Sequence, residues 1–236
     1  YFEQAVARDR QSIRGLAGLS ITHSMDVSFT WSNDAAESMR RSKDALDRAE
    51  AIDPHAHLTL LARASYLLSA GDWSGQFAVS EELIRNFPND PTSYHHRCSS
   101  LLRLGRFDES IPACERAIRI SPNESRTPIW NGLIGMSEFM LGNYKSAAER
   151  ARVPATANHN LAFYALLAAV ALARDGQSDA ARRAFDEFRQ RHPTWDSRRV
   201  VRGWLIVDDP AESSADPKFV AGLQRIIATA RELGLP

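Results

Sequence analysis

Histidine and cysteine are the side chains best suited to hold a metal ion or to move protons and electrons, and the chain has seven of the first and two of the second. The histidines cluster only at His55-x-His57 and His95-His96. Neighbouring residues of a helix point about 100° apart, so adjacent imidazoles cannot readily share one ion, and no nearby carboxylate or cysteine completes a set. Surface or cap histidines are therefore expected, with no metal and no cofactor. Cys98 and Cys114 are too few for a disulfide-stapled scaffold, and free thiols packed as small hydrophobes in a reducing compartment are expected in preference to redox chemistry. Asn123-Glu-Ser125 matches a glycosylation acceptor, but no charged-then-apolar leader opens the chain, so an ordinary turn is expected there. Phosphate loops, dinucleotide fingerprints, nucleophile elbows and His-Glu-x-x-His zinc motifs are all missing from the sequence, and the segment itself is not expected to be an enzyme. Arg182, Arg183, Arg189, Arg191, Arg198, Arg199 and Arg202 could face a phosphate-bearing or acidic partner, although such a run more commonly forms the wet face of amphipathic helices.

The elements that would position these residues follow from composition and period. Lys plus Arg and Asp plus Glu each total 29, so no net field draws the chain to nucleic acid or to a membrane surface. No apolar run approaches the roughly 20 residues that span a bilayer, and a soluble, cytoplasmic protein is expected. Hydrophobic residues make up 44% of the chain, ample for a core. Pro54, Pro88 and Pro122 recur at intervals of 34, as do Gly71 and Gly105; Gly142 follows after 37 and Gly176 after another 34. Each unit has two amphipathic stretches, a glycine turn between them and a proline stop, which predicts stacked helical hairpins.

The residues carry a resemblance as well. Small side chains fall midway along successive first helices at Ala64, Cys98, Gly135 and Ala169, alanines recur near the ends of second helices at Ala49 and Ala117, and Trp73, Phe107 and Tyr144 open second helices. In these features the chain resembles the tetratricopeptide repeat family. The resemblance implies an all-α, right-handed α-α superhelix of helical hairpins with a C-terminal helical cap. Gly71, Gly105, Gly142 and Gly176 would close its turns, while Ala64, Cys98, Ala117, Gly135 and Ala169 would permit close packing. The implied organisation is a repeat array over 1–193, with a partial repeat at 1–22, an irregular one at 23–54, and repeats at 55–88, 89–122, 123–157 and 158–193, then capping helices over 194–236. Thr194 is expected to cap the first of these, and Pro154 to cut short the second helix of the fourth repeat. Tyr1–Ala7 looks like the second helix of a preceding repeat, so a longer parent chain is expected.

Two stretches narrow the resemblance. FTWSNDAAESMRRSKDALDRAEAIDP and DPKFVAGLQRIIATARELGLP resemble the repeat region that follows the catalytic domain of bacterial class III adenylate or guanylate cyclases, and the one that follows the winged-helix DNA-binding domain of some transcriptional regulators. This implies an interaction or regulatory module of a larger signalling protein. In an array of this kind the first helices line a concave face, which by register would present Leu61, Ser65, His95, Ser99, Arg103, Gly132, Met136, Leu166, Val170 and Arg174. Their mixture suits an apolar helix or extended protein segment, including the parent's own catalytic or DNA-binding domain; alternatively they simply complete the packing between repeats. No direct nucleic-acid or membrane contact is expected, and a homodimer stays open.

Overall fold

The computed structural model describes residues 1–29, 31–157 and 161–236, and every regular element among them is helical. A short α1 (Phe2–Arg8) precedes five hairpins: α2 (Ile13–Ser28) with α3 (Ala35–Ile52), α4 (His57–Ala70) with α5 (Trp73–Asn86), α6 (Pro91–Arg103) with α7 (Phe107–Ile120), α8 (Thr127–Leu141) with α9 (Tyr144–Ala157), and α10 (Ala162–Arg174) with α11 (Ser178–Arg191). A tail of α12 (Ser197–Leu205), one 3-10 turn at Pro210–Glu212 and α13 (Pro217–Leu233) follows. Each helix packs on its hairpin partner, and first helices α2, α4, α6, α8 and α10 pack on one another in order, so the molecule is the expected solenoid.

Local chemistry explains the boundaries. Gly71 and Gly105 turn between paired helices at φ of 75° and 71°, a region that a Cβ disfavours; Gly142 and Gly176 repeat the geometry. Oxygen side chains start many of the helices: Ser12 accepts from the Gly15 amide, Asp34 from Glu37, Asp72 from Gly75, and Asp90 from Ser93. Trp73, Phe107 and Tyr144 each occupy the first position of a second helix, and a Cβ on Gly135 would stand 3.1 Å from the Ala147 carbonyl, so α8 and α9 approach as closely as the small residue implied.

Several expectations need correction. The repeat boundary drawn at 22/23 falls inside α2, because Ser12 caps a helix that meets no breaker before Ser28. The boundary at 157/158 adjoins residues 158–160, which, like Thr30, lie outside the described residues. Pro154 does not cut α9: its ring is buried, and the Thr156 hydroxyl donates to the Arg152 and Val153 carbonyls at 3.0 and 3.1 Å, holding a final turn together. The cap of α12 is Asp196, which accepts from the Arg199 amide at 2.9 Å, rather than Thr194. Cys98 and Cys114 are not free thiols. They sit on facing sides of α6 and α7 with Cα atoms 5.3 Å apart and are joined as a disulfide, which removes the ground on which a reducing, cytoplasmic compartment was expected. No helix among the described residues is long and apolar enough to cross a membrane.

The tail does more than extend the stack. Instead of forming a sixth hairpin beyond α11, α13 lies against α10 and α8, burying Phe219, Leu223 and Ile226 at no more than 1% exposure. The segment before it runs back along the array: the Ser214 hydroxyl donates to the Gly71 carbonyl, and the Asp216 amide donates to the Arg103 carbonyl at 2.9 Å. Each large side chain so buried contributes about 2 kcal/mol of transfer free energy, enough to hold the tail in place.

Candidate functional site

Because the tail crosses the inner side of the solenoid, the expected open trough becomes a chamber of about 200 Å³. First helices α2, α4, α6, α8 and α10 supply one wall, and Trp195, Gly203, Trp204 and Ile206 of the tail supply the opposite one. Ile206 ends α12 at φ 60°, the only positive φ of a non-glycine among the described residues and a costly one for a β-branched side chain.

Arg103, the last residue of α6, is the charged group in the deepest position, with 6% of its surface exposed. Its guanidinium lies between the rings of Trp73 and Trp204, 4.8 and 4.9 Å from their centroids, an arrangement that favours a cation. Nε donates to the Trp204 carbonyl at 3.2 Å, and Nη1 donates to the Ser99 carbonyl and hydroxyl at 3.1 and 2.8 Å. Burial lowers its pKa to about 10, which leaves it charged at neutral pH. Two neutral imidazoles stand beside it. Burial, aided by the nearby Arg126, pushes His96 down to about 3; its Nδ1 accepts from the Gln76 amide at 3.2 Å. Burial also holds His95 well below its ordinary range, with His96, Arg126 and Arg103 adding repulsion, and its buried Nδ1 has no hydrogen-bond partner among the described residues. Tyr164 completes this end: burial raises its phenol above the ordinary value, its ring covers Gly132, where no Cβ would fit, and it meets Trp204 edge-on at 6.2 Å.

On the other side, hydroxyls link α2 to α4. Ser28 and Ser69 are 2.7 Å apart, and Ser69 donates to the Ser24 carbonyl at 2.8 Å. Phe29 lies at the chamber edge and stacks on Trp31 at 4.8 Å, and Trp31 is itself 58% exposed.

Of the residues assigned to the inner face by register, Ser65, His95, Ser99 and Arg103 do line the chamber together. Leu61 is instead buried in the small α4–α5 core, and Met136, Leu166 and Val170 have no exposed surface, lying in the main core that α13 helps to form. Gly132 sits beneath Tyr164, and Arg174 is exposed outside the chamber with its guanidinium 5.4 Å over the Tyr144 ring. Sequence reasoning missed Tyr164, Arg126, Trp195 and Trp204. The signal available for the last two was a pair of tryptophans in a tail without the repeat period. Arg182, Arg183, Arg191, Arg198, Arg199 and Arg202 are exposed; Arg189 donates to the Trp195 carbonyl at 2.9 Å and Arg202 pairs with Asp208 at 3.3 Å. His55 pairs with Glu82 at 2.9 Å and His57 with Asp90 at 3.3 Å, and no three metal-ligating side chains converge among the described residues.

Comparisons with known proteins agree with this architecture. A tetratricopeptide repeat family model matches residues 164–194. A heat shock protein sti1 homolog from Schizosaccharomyces pombe is 28% identical over 83 residues, 35% of this chain and only 14% of that protein. Among solved structures, a chain of the APC/C hetero-tetramer Cut9–Hcn1 superposes with a TM-score of 0.68 at 12% identity, covering 98% of this chain and 44% of that one. PilW, a type IV pilus biogenesis factor, superposes with a TM-score of 0.64 at 16% identity, covering 92% of this chain and 90% of that one. At these identities the likeness is one of fold.

Proposed function

We propose that this array of tetratricopeptide-type hairpins is a non-catalytic protein-interaction module that holds an amphipathic segment of a partner against its inner side. The observation that carries the reading is α13, an amphipathic helix of the chain itself seated across α8 and α10. A wall that accepts one such helix has the shape and apolarity to accept another. Among the described residues no helix packs across the first hairpin as α13 does across α8 and α10, and Met25 and Trp31 are 37% and 58% exposed there. The Cut9–Hcn1 assembly lends support, since a protein of similar fold forms a hetero-tetramer there.

The partner favoured here is another domain of the same polypeptide, within a bacterial signalling protein. The resemblance of residues 29–54 and 216–236 to the repeat regions of nucleotide cyclases and winged-helix regulators supports it, the cyclase context being the alternative in which the module regulates an enzyme. The test is calorimetric titration of the chain with the domain encoded upstream of it. Met25→Asp combined with Trp31→Asp is expected to weaken binding at least about tenfold, as loss of an apolar anchor does, with helical content unchanged. Undiminished affinity in a folded double variant would remove the first hairpin from the interface.

A further inference from the structure

We infer that the chamber is a binding site for a small organic monoanion, a carboxylate carried on an apolar or aromatic body. The inference goes beyond the protein-interaction reading and does not rest on it. Arg103 and Arg126, His95 and His96, Tyr164 and five serines line the space, and among the described residues the lining contains no aspartate or glutamate. Arg103 has no ion-pair partner among the described residues. Its bonds use Nε and Nη1, so the Nη2 protons are left to donate. A buried cation facing a cavity without a counter-ion is an unbalanced arrangement that an entering carboxylate corrects. Tyr164 adds a neutral donor close enough to feel the guanidinium charge.

The charge state sets the class of anion. Both histidines stay neutral, and Arg126 sits half-buried at the edge, donating to Thr92 at 3.3 Å. Arg103 alone is deep enough to meet a desolvated negative charge, while Arg126 adds its charge only at the rim, so the deep end of the chamber is matched to a single carboxylate. The size sets the rest. At about 200 Å³ the chamber has room for a small organic molecule, and tail residues form its wall opposite the first helices. Ile129, Leu133, Phe163, Trp195 and Trp204 give the ligand body an apolar, largely aromatic surround.

The experiment uses the whole chain. Benzoate and octanoate are titrated against it by calorimetry and by tryptophan fluorescence, which Trp195 and Trp204 should report; benzamide, octanamide, inorganic phosphate and a short peptide with a free C-terminal carboxylate run alongside. Saturable binding of at least one free acid is expected, with its amide at least about tenfold weaker because the charge-assisted bond is lost. Tyr164→Phe, which keeps the ring, and Arg103→Lys, which keeps the charge but not the fork, should each weaken binding about tenfold. If Arg103→Lys does not fold, Tyr164→Phe decides. Arg174→Gln, outside the chamber lining, should leave acid binding unchanged, and acid binding is read with no partner domain present, so failure of the protein-interaction reading and failure of this one are separable. No saturation with either acid up to about 10 mM, equal binding of acid and amide, binding of the peptide or phosphate in place of the free acids, or a Tyr164→Phe protein with unaltered affinity would each overturn the assignment.

Discussion

Arg103 shows how one residue can be structural and receptive at once. Two indole faces and three hydrogen bonds fix its plane, yet none of these partners carries a negative charge, so its electrostatic demand is left open. The neighbouring histidines make the site sensitive to acid. His96 is held near 3 and His95 well below its ordinary range, whereas in the unfolded chain both titrate near 6.5. Between those values the unfolded state binds more protons, so stability that is fully present above about 6.5 is lost as pH falls towards the folded values, by up to about 1.4 kcal/mol per pH unit for each group. Urea midpoints at pH 7.5 and pH 5 should therefore differ, above the range where most carboxylates titrate. His96→Gln, which keeps an amide partner for Gln76, should flatten roughly half of that slope. An identical slope in wild type and variant would mean that His96 is not held neutral. At this scale the sequence was partly legible. Helical register placed His95, Ser99 and Arg103 on a shared face, because α6 is regular from Pro91 to Arg103. It misassigned Leu166 and Val170, because α10 gives only its N-terminal end to the chamber and packs the rest of its length among α9, α11 and α13, and a period has no means of showing that a distant segment will return to join that packing.

Among the elements, the α6–α7 hairpin is the most constrained. The Cys98–Cys114 bond closes a loop with a sequence separation of 16 between two helices that already pack along their length. In the chain-entropy account such a closure removes about 3 kcal/mol of freedom from the unfolded state. Cys98→Ala with Cys114→Ala should lower unfolding free energy by about that amount, and addition of a reductant to the wild type should have a comparable effect. Denaturant curves check it; a double variant as stable as the oxidised protein would mean that the bond does not form in solution. Helix existence and pairing could be read from the sequence because glycine turns, aspartate caps and apolar stripes all agree on them. Pro154 could not, since the side-chain bonds and burial that keep α9 going past it come from tertiary context. Nor could the disulfide, because two cysteines at mid-helix positions read equally well as small core residues until the two helices are placed face to face.

For the whole molecule, the repeat period dictates a curved stack with an inner wall, and the tail decides what becomes of that wall. Over α8 and α10 it is filled by α13, over α4 and α6 it is bridged by the segment that ends at Asp216, and between them the chamber is left. Both the helix-bearing wall and the chamber require the tail to be docked there in solution. Hydrogen exchange measured by mass spectrometry on the intact chain tests this most directly, comparing residues 217–233 with those of α6, α8 and α10. Docking predicts that α13 opens only with those helices, so the four segments share similarly high protection and lose it together under mild denaturant. Exchange of 217–233 at the rate of an isolated helix, while α6, α8 and α10 stay protected, would contradict the account.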